Sequence, residues 1–274
     1  MPLDSVQSVN SIYIDGFTGY LGSFAKSYFV NGQHPVYFGK RSDYQKISSS
    51  DISVVFLFSG LQSSLLPDLL DVHLYHPLSL IHHFSSHPTH FIYSSSGSVY
   101  GSELGSPASL ETDPVRDHDH YSYAKILAEN SIQELCEQNG HTLTILRLPP
   151  LVGPRPNTGV VHKMLSQYRL YNHIKIYGDG SSYRDFLSLS DLCSLLNYIV
   201  QYRVPGIFNI SSPAHCSILQ LATSIIGSTS PILFLPQSHN SLQQLHLNDD
   251  LIRSISSINA NCASIKDIIT YARG

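Results

Sequence analysis

Ser11-Ile12-Tyr13-Ile14 runs into Asp15-Gly16-Phe17-Thr18-Gly19-Tyr20-Leu21-Gly22 and then into helical spacing. A strand, a glycine turn and a helix in that order leave few folds open. Gly16 permits a tight turn, Gly19 lets backbone approach a pyrophosphate, and Gly22 lets the helix pack on the strand. The helix then points its N–H groups and positive dipole end at the phosphates. Gly16, Phe17, Thr18, Gly19, Tyr20, Leu21 and Gly22 are therefore the expected cradle of a dinucleotide.

The rest of the chain alternates strand and helix, the mark of a doubly wound parallel sheet. Strands are expected at 11–15, 34–39, 52–58, 90–95, 142–148 and 206–210. The continuous run Val54-Val55-Phe56-Leu57-Phe58 suits a strand covered on both faces. Helices are expected at 20–31, within 62–86 with interruptions near Pro67 and Pro77, at 121–139 and at 190–202. Past residue 149 the pattern loosens, with Pro149, Pro150, Pro154 and Pro156 clustered.

Composition excludes some functions. A net charge of −4 with only 13% charged residues makes no electrostatic case for nucleic acid or an anionic membrane. No apolar run reaches the roughly 18 residues a membrane helix needs. Met1-Pro2-Leu3-Asp4-Ser5 lacks signal-peptide regions. Cys136, Cys193, Cys216 and Cys262 form no Cys-x-x-Cys pair and read as buried free thiols. A cytoplasmic protein is expected.

The chemistry is carried by Tyr121-Ser122-Tyr123-Ala124-Lys125. Four residues apart on a helix, Tyr121 and Lys125 share one face. A phenol titrates near pH 10, and a neighbouring ammonium favours its phenolate, which suits proton exchange with an alcohol or ketone. Upstream, Phe91-Ile92-Tyr93 reads as a buried strand running into Ser94-Ser95-Ser96-Gly97-Ser98-Val99-Tyr100-Gly101, with Ser96 25 positions before Tyr121.

Together these blocks resemble the extended short-chain dehydrogenase/reductase family, the NAD(P)-dependent nucleotide-sugar epimerases, dehydratases and reductases. The resemblance continues through Leu146-Arg147-Leu148-Pro149-Pro150-Leu151-Val152-Gly153, Gly178-Asp179-Gly180 with Arg184-Asp185-Phe186, and Gly206-Ile207-Phe208-Asn209. It implies an α/β fold: a Rossmann-type doubly wound sheet from residues 1–148 plus about 183–212, and a smaller C-terminal substrate-binding lobe from 149–182 plus 213–274. It implies Tyr121 as acid/base, Lys125 as the cation that lowers its pKa and holds the nicotinamide ribose, and Ser96 as hydrogen-bond donor to the reacting oxygen. Ser96, Ser98, Thr158, Val160 and Arg184 are the implied substrate contacts, with the Arg184 fork suited to a diphosphate.

Three departures sharpen the expectation. Pro150 stands where family members often place an Asn that contacts the diphosphate. Ser96-Gly97-Ser98 contains neither the thiol of the carbon epimerases nor the carboxyl of the 4,6-dehydratases, which leaves ketone/alcohol chemistry. Only about a dozen residues separate the second and third strands, so the sheet edge is expected to be trimmed.

At the end of the second strand, Val36-Tyr37-Phe38-Gly39-Lys40-Arg41-Ser42-Asp43 puts Gly39 where an NAD-selecting carboxylate is expected, followed by Lys40 and Arg41. Two cations attract a 2′-phosphate, so NADP is expected over NAD; Asp43 would serve NAD if the register shifts. His73, His76, His82, His83, His87 and His90 are dense, yet nothing in their pattern gathers them, and no metal is expected. The expectation is an NADP-dependent 4-keto reductase of a nucleotide-diphosphate sugar. A nucleotide-sugar 4-epimerase is the alternative, and a non-catalytic nucleotide-binding regulator a third reading. The leucines of 62–86, with Ile126, Leu127, Ile132 and Leu135, point to a homodimer through shared helices.

Overall fold

The structure, a computed structural model, describes residues 11–32, 34–101, 107–155, 159–227, 231–236, 244–256 and 264–273. The chain forms two compact units. The first takes Met1–Val99, Val115–Arg147 and Cys193–Phe208; the second takes Tyr100–Pro114, Leu148–Leu192 and Asn209–Gly274. Ser109 packs with the second unit, its carbonyl accepting from Asn209 Nδ2 (2.8 Å) and its backbone pairing with Leu247.

The central sheet has six strands: β1 (Ile12–Ile14), β2 (Val36–Phe38), β3 (Val54–Leu57), β4 (His90–Ser96), β5 (Thr142–Leu148) and the strand Gly206–Asn209. Their spatial order is Gly206–Asn209, β5, β4, β3, β1, β2. β1 pairs in parallel with β2 and β3, and β3 with β4. Every residue of β1 and β3 is buried, as strands covered on both faces must be. Between β2 and β3 lie only two short 3-10 turns, Tyr44–Lys46 and Ser49–Asp51. The edge is trimmed as expected.

Two local features position the site. The first is the start of the long helix His120–Gln138. Asp119 accepts from the Ser122 backbone N–H (2.7 Å), and Ser122 Oγ accepts from the Asp119 N–H (3.1 Å). This reciprocal cap fixes the first turn, where Tyr121 stands. The second is Pro77. Residues 66–83 form one continuous rod, Leu66–Leu70 and His76–His83 in α-helix joined by a π-turn at Asp71–Tyr75. Pro77 has no N–H for the carbonyl four residues back, which is that of His73. The wider turn absorbs the misfit, and the His73 carbonyl accepts from the Tyr93 hydroxyl (3.3 Å). The expected interruption at Pro77 is thus a π-turn inside the rod, while Pro67 sits harmlessly in the first turn.

The leucines of this rod serve the first unit's own core more than expected. Leu74 and Leu80 are buried with Tyr13, Val55, Phe91, Tyr93 and Ile132, and Leu70, Leu78, Leu127 and Leu135 pack against that cluster. Leu65 and Tyr75 remain outside, at 60% and 58% exposure. In the second unit, Val161, Met164, Ile174, Ile176, Phe186, Leu221, Ile225 and Ile268 form a separate core.

Candidate active site

The glycine turn is built as a phosphate cradle requires. Gly16 has φ +70°, and a Cβ there would meet the Phe58 and Ser59 backbone at 2.6 Å. A Cβ on Gly22 would lie 2.2 Å from the Gly16 carbonyl oxygen. Gly19 meets protein only at 3.2 Å, and both Thr18 and Gly19 are exposed. The helix Tyr20–Val30 begins there with no side-chain cap and no acidic residue in its first turn. Its positive end is uncompensated by the chain's own side chains, so the residues Gly16 to Gly22 fit a dinucleotide pyrophosphate.

The end of β2 is less open than its sequence implies. Arg41 is held in a two-pronged ion pair with Asp71, one arm at 2.7 Å. The pair raises the arginine's pKa and lowers the carboxyl's. Asp43 accepts from the Lys40 backbone N–H (3.0 Å) and the Lys46 ammonium (2.8 Å). A 2′-phosphate at Arg41 would compete with Asp71. Phe38 lies tilted against Phe17, ring centroids 5.2 Å apart, and the Lys26 ammonium sits 3.7 Å from the Phe38 ring centroid, linking the glycine turn to the strand end.

Ser96, Tyr121 and Lys125 come together in the first unit. Ser96 ends β4, where the chain leaves the sheet into the 3-10 turn Gly97–Tyr100; its Oγ is 2.9 Å from Ser98 Oγ. Ser96 is also near enough to the Tyr121 phenol to pull its pKa down. Lys125 is buried, donates to the Ser94 carbonyl (2.7 Å), and sits 4.7 Å from the Tyr93 ring centroid and 5.9 Å from that of Tyr121.

Burial dominates the electrostatics of the set. Loss of water pushes the Tyr121 phenol up to about 12, against the pull of the Ser96 hydroxyl; the Asp119 charge adds to the rise. Burial pulls Lys125 down to about 7, with Glu129 opposing. In this state Tyr121 is a proton donor.

Two groups around this set were not singled out from the sequence. His73 meets Tyr121 edge-on, ring centroids 5.4 Å apart. Its Nε2 lies 3.0 Å from the Leu61 carbonyl, while its buried Nδ1 has no partner among the described residues. Burial, aided by the Lys125 charge, holds it down to about 3, so it is neutral. Behind Lys125, one helical turn on, Glu129 pairs with Arg147 (2.7 Å), both buried, and accepts from Ser95 Oγ. Spacings of four place Tyr121, Lys125 and Glu129 on one face, a signal present in the sequence. The partnership with Arg147 depends on β5 lying beside β4, which no local pattern encodes.

Of the other expected substrate contacts, Ser98 is in the first unit with Ser96. Thr158 lies outside the described residues. Val160 opens the helix Val160–Tyr171 of the second unit and packs against its core. Arg184 lies on the strand Tyr183–Asp185, where Nη1 donates to the Tyr183 carbonyl (2.6 Å) and burial lowers its pKa.

A profile described as "NAD dependent epimerase/dehydratase family" matches residues 12–211. A Bacillus subtilis protein described as an uncharacterized UDP-glucose epimerase is 23% identical over 184 residues, covering 66% of this chain and 54% of its own length. UDP-glucuronic acid decarboxylase 1 of Arabidopsis thaliana is 28% identical over 54% of this chain and 36% of its own. The matches thus span about half or less of these relatives. Among solved structures, UDP-glucuronic acid 4-epimerase from Bacillus cereus, in complex with UDP-glucuronic acid and NAD, superposes with a TM-score of 0.84 at 19% identity, covering 96% of this chain and 98% of its own. RMD from Pseudomonas aeruginosa, complexed with NADPH, gives 0.78 at 17%, covering 96% and 98%. Such low identities speak for the fold, the six-stranded α/β sheet described above. With the profile spanning most of the chain, the glycine cradle at Gly16–Gly22 and the Ser96–Tyr121–Lys125 set lie inside the matched segment, and the chain belongs to the NAD-dependent epimerase/dehydratase family, an enzyme family.

Proposed function

We propose that this protein is an NAD(P)-dependent oxidoreductase of a nucleotide-diphosphate sugar, acting as a reductase of a 4-keto group with NADPH. The observation that carries the reading is Ser96 at the end of β4 in the same unit as Tyr121 and Lys125, which stand on the capped start of the long helix. The bound cofactor supplies the hydride. The residues do the rest. Negative charge growing on the carbonyl oxygen is met by two hydroxyl donors, Ser96 and Tyr121, and Tyr121 gives up its proton to that oxygen. Lys125 stands beside the phenol to recharge the site. It releases or takes a proton near neutrality because burial holds it at about 7.

The Lys40-Arg41 pair supports NADPH, although Arg41 must exchange Asp71 for the 2′-phosphate. Arg184 is proposed as the diphosphate ligand, its planar fork matching two phosphate oxygens. A second reading, a 4-epimerase holding NAD, is favoured by Asp43 at the end of β2 and by the NAD complexes among the structural neighbours. Absorbance at 340 nm separates the two. A reductase consumes added NADPH in proportion to a UDP-4-keto sugar; an epimerase copurifies with cofactor and turns over with none added.

A further inference from the structure

We propose that Asp185, His215 and His246 form a binding site for a divalent transition-metal ion, zinc by the character of its donors. The site lies wholly in the second unit and is independent of the functional reading above.

The backbone aligns the three residues. Strand His215–Ser217 runs antiparallel to Tyr183–Asp185 with His215 directly opposite Asp185. On the other side, Gln244 and Leu245 lie opposite Tyr183 and Arg184, so the next residue, His246, comes level with Asp185. Three adjacent strands therefore deliver two imidazoles and a carboxylate in one row. One donor atom from each lies within 4.8 Å of the others.

The carboxylate is oriented as a ligand is. Asp185 is fully buried, and its Oδ2 accepts from Ser211 Oγ and the Leu247 N–H, both at 2.8 Å. That fixes the group and turns Oδ1 to His215 Nδ1, 2.5 Å away. Outer contacts of this kind hold the inner ligands of metal sites in place. The His215 and His246 rings stack with centroids 4.1 Å apart. Among the described residues, nothing hydrogen-bonds the His246 ring nitrogens.

Two imidazoles and one carboxylate are a donor set for zinc, cobalt or nickel, whereas calcium and magnesium take oxygen shells. With ligand bonds of about 2.0–2.2 Å, donors on a tetrahedral ion stand roughly 3.3–3.5 Å apart, so His215 Nδ1 and Asp185 Oδ1 must part from 2.5 Å and the stacked His246 ring must turn to aim a nitrogen at the same point. The cation replaces the contact between His215 Nδ1 and Asp185 Oδ1; a neutral imidazole then carries its proton on Nε2, and a charged one releases its Nδ1 proton to solvent. Water completes the coordination, and no electron is transferred. The dense histidines at 73–90 do not compete as a site. His76 is committed to Asp15 (2.9 Å), His83 to the Ile47 carbonyl (3.0 Å) and His90 to Thr144 (2.7 Å).

The test uses the full chain, stripped with EDTA and dialysed against micromolar zinc chloride. His246→Phe keeps an aromatic ring on His215 but removes the donor. The expected result is one zinc equivalent bound by the wild type and missing from His246→Phe, with a zinc-dependent rise in melting temperature in the wild type only. Cobalt in the same site should give visible d–d absorption that the variant lacks. Should His246→Phe fail to fold by circular dichroism, His246→Gln takes its place. Equal zinc content and equal melting shifts in wild type and variant, or no bound zinc in the wild type, would overturn the proposal.

Discussion

Removing one side of the Glu129–Arg147 pair tests how the site is supported. Arg147 reaches Glu129 with Nη2 at 2.7 Å and Nε at 3.3 Å to both carboxylate oxygens, and both residues are nearly shut off from water. Arg147→Met leaves the Glu129 carboxylate buried with the Ser95 hydroxyl and the nearby Lys125 charge in place of the ion pair. Breaking a buried pair from one side costs about 3–5 kcal/mol. For a chain of this size that lowers the melting temperature by roughly 6–20 °C. Glu129→Leu removes the carboxylate from a buried guanidinium and breaks the pair from the other side, in the same cost range of about 3–5 kcal/mol. The double variant removes both charges and should recover most of the loss, leaving about 1–3 kcal/mol for the orphaned Ser95 hydroxyl. Melting followed by circular dichroism at 222 nm on all four proteins completes the cycle. Additive losses in the double variant, or single losses below about 1 kcal/mol, would refute the view that the two charges answer each other.

Other outcomes follow from the same geometry. Asp71→Asn releases Arg41 and should tighten NADPH binding without changing NADH, measured by fluorescence titration; equal effects on both would remove Arg41 from 2′-phosphate recognition. Gly22→Ala forces a methyl onto the Gly16 carbonyl, so dinucleotide binding and stability should fall together, with overpacking costing about 1–3 kcal/mol. His73 and His90 are both held down to about 3, while unfolded histidine titrates near 6.5. Between these values the unfolded chain binds the extra protons, so stability must fall as pH drops from about 6.5 toward 3. Urea melts at pH 7 and pH 5 should differ by about 2–4 kcal/mol, and His90→Phe should flatten the slope; a slope that keeps its wild-type steepness in His90→Phe contradicts the assignment. A homodimer through the exposed Leu65 and Tyr75 is also expected, and light scattering giving the 30.4 kDa monomer mass would exclude it.

The sheet was legible because its strands are short apolar runs closed by turn residues, and the buried pattern of β1 and β3 leaves little choice of fold. The shared helix face of Tyr121 and Lys125 was legible from their spacing of four, while Ser96 was singled out through the family resemblance. What was hidden depends on tertiary neighbours. Pro77 announced a break, but the π-turn and the inward His73 exist because Tyr93 on β4 takes the freed carbonyl. The charge state of the site also escaped the sequence. Tyr121 and Lys125 stand four apart either way, but whether the amine lowers the phenol depends on how much water remains, and here little does. Arg41 looked available until Asp71, thirty residues away, came beside it. The row Asp185, His215, His246 is set by strand register across sixty residues, beyond any local pattern.

The central claim is that Tyr121 protonates a sugar ketone reduced by a nicotinamide cofactor. Single-turnover absorbance at 340 nm, with the protein in excess over NADPH and a UDP-4-keto sugar, measures that step directly. The account predicts a rapid fall in the wild type and a rate about 10²–10⁴ lower in Tyr121→Phe with NADPH affinity preserved. An unchanged rate in Tyr121→Phe would contradict it.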